Sequence, residues 1–161
     1  MRHVAILLPL LVTGALGSAH AGCTVSSTGV AFGAYQPLNF PGKLTSVDKT
    51  SSGSVSVACS GIVTGGSYSI SLGPSLAGNS IGTRYMANPA GGPNMAFNIY
   101  QDLPHTVVWG DGVTGGLLSG TIPTGASNQQ HPVYGKLPGS QNTVKAGAFS
   151  ATMTMTLTYN P

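Results

Sequence analysis

The run from Thr152 to Tyr159 restricts the fold of this chain more than any other segment. Met153, Met155, Leu157 and Tyr159 alternate there with Thr152, Thr154, Thr156 and Thr158. A period of two with β-branched threonine on one side is the pattern of a half-buried strand. A helix would scatter the four threonines around its circumference, at a propensity cost for each. The same alternation recurs earlier, with Val55, Val57 and Cys59 against Ser54, Ser56 and Ala58, and with Tyr68, Ile70 and Leu72 against Ser67, Ser69 and Ser71. Shorter strands are expected at Val25–Phe32, Ala96–Tyr100, Thr106–Trp109 and Val133–Leu137. Breakers such as Gly65-Gly66, Gly73-Pro74, Gly91-Gly92-Pro93 and Pro138-Gly139 separate them. Pro37 to Ser52 lacks periodicity and reads as a long connection. Beyond the first residues nothing offers three turns of amphipathic helix. Six or seven short strands divided by turns predict an all-β sandwich, with a barrel as the lesser option.

The chain opens on MRHVAILLPLLVTGALGSAHA, which has the parts of a secretory signal. Arg2 and His3 give a basic start, an apolar core runs from Val4 through Leu11, and Ala19-His20-Ala21 places small residues where a signal peptidase reads. The core is short of the roughly 20 apolar residues that span a bilayer. Cleavage is expected after Ala21, leaving residues 22–161 as one domain. No later apolar run reaches transmembrane length.

That domain keeps Lys43, Lys49, Arg84, Lys136 and Lys145 against Asp48, Asp102 and Asp111, so its net charge is five minus three, +2. So few cations form no basic face, and nucleic acid is excluded as an expected partner. The two cysteines, Cys23 and Cys59, lie behind an export signal, where pairing is the default. Closing a loop of this length stabilises by roughly 4 kcal/mol on the chain-entropy model.

Chemistry has little to work with. QDLPHTVVWGDG is the densest polar cluster, and Asp102, His105 and Asp111 in it could serve as acid, shuttle and base. Asp111-Gly112 and Asp102 read better as turn residues. No G-x-S-x-G elbow occurs, Gly61–Gly66 lacks the lysine of a phosphate loop, and the histidines share no metal spacing. The expectation is therefore a protein that is not an enzyme and has neither metal nor cofactor. Trp109, Asp111 and Tyr134 form a candidate surface-binding set, although aromatics in β-domains are more often core.

The terminal alternating strand raises a different question. A flat strand with an apolar face and an unpaired edge invites association. Either the N-terminal strand at Val25–Phe32 covers that edge, or another chain adds a strand to it. The sequence leaves both open.

Several motifs carry a family likeness in order along the chain: Cys23-Thr24-Val25-Ser26, Gly29 to Phe32-Gly33-x-Tyr35, the G-x-V-x-V-x-C run Gly53–Cys59, Tyr68-Ser69-Ile70 and Arg84-x-Met86. Phe97-Asn98-Ile99-Tyr100 with Asp102, Trp109-Gly110-Asp111-Gly112 and Tyr134-Gly135-Lys136-Leu137-Pro138 with Gln141 and Gly147 continue it. Together they resemble the spore coat protein U domain, which also builds subunits of archaic chaperone–usher pili. The resemblance implies an immunoglobulin-like β-sandwich lacking its last strand and completed by donor-strand complementation. It implies as partners a periplasmic pilus chaperone, an outer-membrane usher and neighbouring pilin subunits, with passage through the periplasm to the cell surface or pilus. It also pairs Cys23 with Cys59 and makes Met153, Met155, Leu157 and Tyr159 one wall of the chaperone and donor-strand groove. Two departures stand out. Polymerising members carry a donor segment before the first cysteine, whereas cleavage after Ala21 leaves only Gly22. The family's usual arginine after Tyr-Gly is Lys136 here. The expectation is a secreted structural subunit that accepts a strand, in a terminal or tip-like place. The alternative is a stand-alone adhesin or glycan- or receptor-binding module.

Overall fold

The alternating segments fall within a set of eight antiparallel strands among the described residues. The computed structural model describes residues 22–161, so the expected signal over residues 1–21 lies outside the described residues. The strands are β1 Gly22–Ser27, β2 Lys49–Ile62, β3 Gly66–Ser75, β4 Arg84–Met86, β5 Met95–Tyr100, β6 Leu118–Ile122, β7 Gly125–Leu137 and β8 Met153–Asn160. One sheet has the order β1-β2-β7-β5-β4 and the other β6-β3-β8. No helix occurs among the described residues. The expected immunoglobulin-like sandwich is thus present as two antiparallel sheets sharing one core.

The core follows from the alternation. Val55, Val57 and Cys59 of β2 and Val133 and Leu137 of β7 meet Tyr68, Ile70 and Leu72 of β3, all buried. At a few kcal/mol per fully buried large side chain, this layer is the main term holding the sheets together. Two polar joints tie the sheets as well. Arg84, fully buried in β4, donates from Nε to the Gly73 carbonyl at 2.9 Å and from Nη2 to the Leu72 and Trp109 carbonyls at 2.8 and 2.9 Å. Elsewhere Tyr68 Oη donates to Gln129 Oε1 at 2.8 Å and lies 2.5 Å from His131 Nε2. With its single proton given to Gln129, Tyr68 must accept from His131, which fixes the Nε2–H tautomer of that ring.

The strand boundaries differ from expectation in instructive places. β2 begins at Lys49, so the long connection ends four residues earlier than the sequence suggested. The first strand stops at Ser27 rather than Phe32, because Gly29 adopts a positive φ of 72° and turns the chain inward. Thr106–Trp109 is not a strand; Val108 and Trp109 make only isolated bridges, to Tyr100 and Gly116.

After that turn, the segment 29–35 crosses the inner face of the first sheet. It can do so because two strand positions carry no side chain. A Cβ at Gly53 would meet the Gly29 carbonyl oxygen, and one at Gly135 would meet the Phe32 ring and Val30. Ser51 Oγ donates to the Ala31 carbonyl at 2.7 Å, and Tyr35 Oη donates to the Pro138 carbonyl, so the crossing is fixed at both ends. Phe32 then packs edge-on against Phe97 at 6.3 Å.

Candidate functional site

The crossing segment and β8 flank a cleft of about 1030 Å³. Val30, Phe32, Tyr35 and Leu38 line one side, and Met153 and Met155 of β8 line the other. Leu72, Phe97, Ile99, Trp109 and Val133, all buried core residues, lie between them. The stretch 144–152 completes the lining, and its Lys145 is the one charged side chain there. The cleft is therefore an open part of the hydrophobic core rather than a polar pocket.

β8 gives the cleft an unfinished border. Its register runs antiparallel to β3, with Leu157 opposite Ile70 and Met155 opposite Leu72. Among the described residues β3 is its only strand partner, and β1 pairs with β2 instead. The N-terminal strand therefore does not cover the second edge of β8. Met153, Met155 and Leu157 are half-buried, whereas their counterparts on β3 are almost fully enclosed. The apolar face of β8 is thus only half covered, beside backbone groups with no sheet partner among the described residues.

A family model matches most of the sequence. The Spore Coat Protein U domain matches residues 10–156. This chain belongs to the Spore Coat Protein U domain family. No curated protein is similar enough to match the chain. Among solved structures, the chain is similar to one described as a chaperone-tip adhesin complex vital for synergistic activation of CFA/I fimbriae biogenesis, with 12% identity and a TM-score of 0.43. That similarity covers 82% of this chain and 43% of the other, so the chain spans less than half of that length.

Within this Spore Coat Protein U domain the residues anticipated as a groove wall divide into two pairs. Met153 and Met155 line the cleft; Leu157 and Tyr159 do not. Leu157 packs against the core further along β8, and Tyr159, 36% exposed, donates from its hydroxyl to the Thr64 carbonyl at 3.3 Å. The far wall, from Val30 to Leu38, is not a strand, although Val25–Phe32 was expected to be one. The sequence marked its first half only through the Gly29 to Tyr35 motif, with no sign that it lines a cleft.

The candidate surface-binding set is dispersed. Trp109 is 2% exposed and donates from Nε1 to the Ile70 carbonyl at 2.9 Å. It is a core residue bonded to the facing sheet, at the bottom of the cleft and not on the outer surface. Asp111 is exposed but accepts from the amides of Val113 and Thr114 at 2.9 and 2.7 Å, and these bonds hold its carboxyl below the usual range. Tyr134 is half-buried in a different cluster, with the His105 ring 6.4 Å away and Tyr100 5.2 Å from His105.

Asp102 is likewise engaged, accepting from the Thr106 hydroxyl at 2.6 Å and from the amides of Thr106 and Val107. The Thr106 side chain is the largest cause of its lowered pKa. Both acids of this cluster are thus turn-stabilising acceptors. No group of three or more metal-ligating side chains occurs among the described residues. Cys23 and Cys59 are bonded to each other and face across the β1–β2 ladder as register partners. No helix of the described residues is long and apolar enough to cross a membrane.

Proposed function

We propose that this domain is a structural subunit of a surface pilus or coat, and that it accepts an extended strand from another chain. The strand would add to the free edge of β8 and lay alternate apolar side chains into the cleft. The observation that carries this reading is the partial exposure of Met153 and Met155 at an edge unpaired among the described residues, directly above buried core residues. Burying three or four such side chains offers roughly 1.5–3 kcal/mol each, before the ordering of the incoming strand is subtracted. Each new ladder hydrogen bond adds about 0.5–1.5 kcal/mol net.

In this reading the strand comes first from a periplasmic chaperone and later from a neighbouring subunit, with an outer-membrane usher passing the subunit to the cell surface. Family membership supports the choice of a pilus or coat assembly over a free-standing binding module. The buried position of Trp109 also weakens the module reading.

The test uses the exported chain, alone and with a synthetic peptide whose apolar residues alternate with threonine or serine. Thermal stability should rise with peptide concentration, as linkage requires. A scrambled peptide should do nothing, and Met155→Asp should abolish the gain. A lone chain that melts cooperatively and gains no stability from the alternating peptide would show that the strand-acceptor role is wrong.

A further inference from the structure

The sequence contains five methionines. Met1 lies outside the described residues, and the other four, Met86, Met95, Met153 and Met155, all line the cleft. They fall into two positions. Met86 and Met95 are register partners in the β4–β5 ladder and are 8% and 7% exposed. Met153 and Met155 stand on the free-edge strand and are half-buried. A flexible, polarisable thioether suits a surface that must fit an incoming side chain, but it is also the apolar group most readily oxidised.

We propose that Met153 and Met155 are an oxidation site that governs strand acceptance, with a peroxide as the oxidant. This inference rests on the acceptor reading given above. The sulfur lone pair attacks one peroxide oxygen; an S–O bond forms, the O–O bond breaks, and the second oxygen leaves as water after taking up the protons. Sulfur loses two electrons and the peroxide gains them. The product sulfoxide sets a strong hydrogen-bond acceptor where the occupant's apolar side chain must lie. Burying that acceptor without a partner opposes binding. The neighbouring outward residues of β8, Thr154, Thr156 and Thr158, contain no oxidisable group, so the effect is confined to the cleft side of the strand.

A bound strand should also slow oxidation of the same sulfurs, because it covers them. The floor methionines, nearly enclosed already, should react after the rim pair.

The experiment treats the exported chain with graded hydrogen peroxide and maps oxygen addition by peptide mass spectrometry. In parallel it measures affinity for the alternating apolar peptide. The expected result is one oxygen on each of Met153 and Met155 before Met86 or Met95 reacts, with a loss of about tenfold or more in affinity. Methionine sulfoxide reductases A and B together should restore binding. Compared with its own untreated affinity, M153L/M155L should lose nothing through the same peroxide treatment, since leucine cannot be oxidised. Rim oxidation with unchanged affinity overturns the inference, as does an equal loss in M153L/M155L or reaction of the floor pair first. An untreated chain that fails to bind the peptide overturns the acceptor reading itself, and the inference falls with it.

Discussion

Arg84 Nη1 donates to Asn98 Oδ1 at 2.6 Å, and Asn98 Nδ2 in turn donates to the Ile81 and Gly82 carbonyls at 3.0 and 2.7 Å. The pair thus links a three-residue strand, the loop before it, β5 and the facing sheet. Burial pushes the Arg84 pKa down to about 10, with Asp111 opposing the shift, so the guanidinium stays charged at neutral pH.

Arg84→Met should therefore be costly although it keeps much of the apolar stem. It strands the Gly73, Leu72 and Trp109 carbonyls, at about 1–3 kcal/mol for each buried group left unpaired. Urea unfolding should show a loss of at least ~3 kcal/mol. A loss within ~0.5 kcal/mol would mean that water replaces the guanidinium at these carbonyls.

The two glycines under the crossing segment should differ in sensitivity. Gly53→Ala drives a Cβ into the Gly29 backbone oxygen, which has little room to move, whereas Gly135→Ala meets the Phe32 ring and Val30 side chains. Both should destabilise, by about 1–3 kcal/mol as overpacking does, with Gly53→Ala the worse. Thermal melts of the two variants side by side would check the order.

Reduction of Cys23–Cys59, which are separated by 36 residues, should lower stability by roughly 4 kcal/mol. The loss should concentrate at β1, an edge strand with little buried surface. Hydrogen exchange before and after reduction should show β1 amides losing protection first; uniform loss across both sheets would contradict a local staple.

Acid should weaken the domain in two stages. Burial holds the His131 pKa below the ordinary histidine value of about 6.5, so the unfolded chain binds that proton more readily. A depressed histidine costs stability as pH falls below about 6.5 and stops costing more once pH passes its folded value. Asp48 is held low chiefly by its hydrogen bond to Lys136 Nζ at 2.7 Å, then by the Gly139 amide, and Asp102 and Asp111 are also lowered. Their stabilisation is present above the unfolded carboxyl pKa near 4 and is lost as pH falls below it. Melting temperature against pH should therefore decline between pH 7 and 5 and again below pH 4. His131→Gln, which still offers Tyr68 a donor, should flatten the first decline.

How much of this was legible depends on where the side chains repeat. β8, β3 and the second half of β2 were read directly because their apolar residues keep strict alternation on a half-buried face. β6 escaped, since Gly120 in Leu118–Ile122 looks like a turn residue; it is there because the Tyr68 hydroxyl lies against it. The first half of β7, Gly125–Pro132, carries almost no apolar side chain, so pairing with β2 and not composition makes it a strand. β4 is too short to show a period and is held by Arg84. The cleft was half legible. Of the four β8 residues expected on one wall, Met153 and Met155 line the cleft and Leu157 and Tyr159 do not, while the other wall is an irregular crossing whose position depends on long-range contacts with Gly53 and Gly135. Trp109 looked available because it borders a turn, and only the packing of the opposite sheet shows it enclosed.

The disulfide and the crossing segment act on the sandwich in opposite senses. Near Cys23 the edge strand is stapled outward to its neighbour β2; beyond Ser27 the same chain is folded inward across the sheet. The mouth therefore resembles a wedge whose depth is set by two residues lacking side chains. Enlarging either one would narrow or displace the mouth without touching β8, so the bore of the cleft and the edge that borders it can be altered independently.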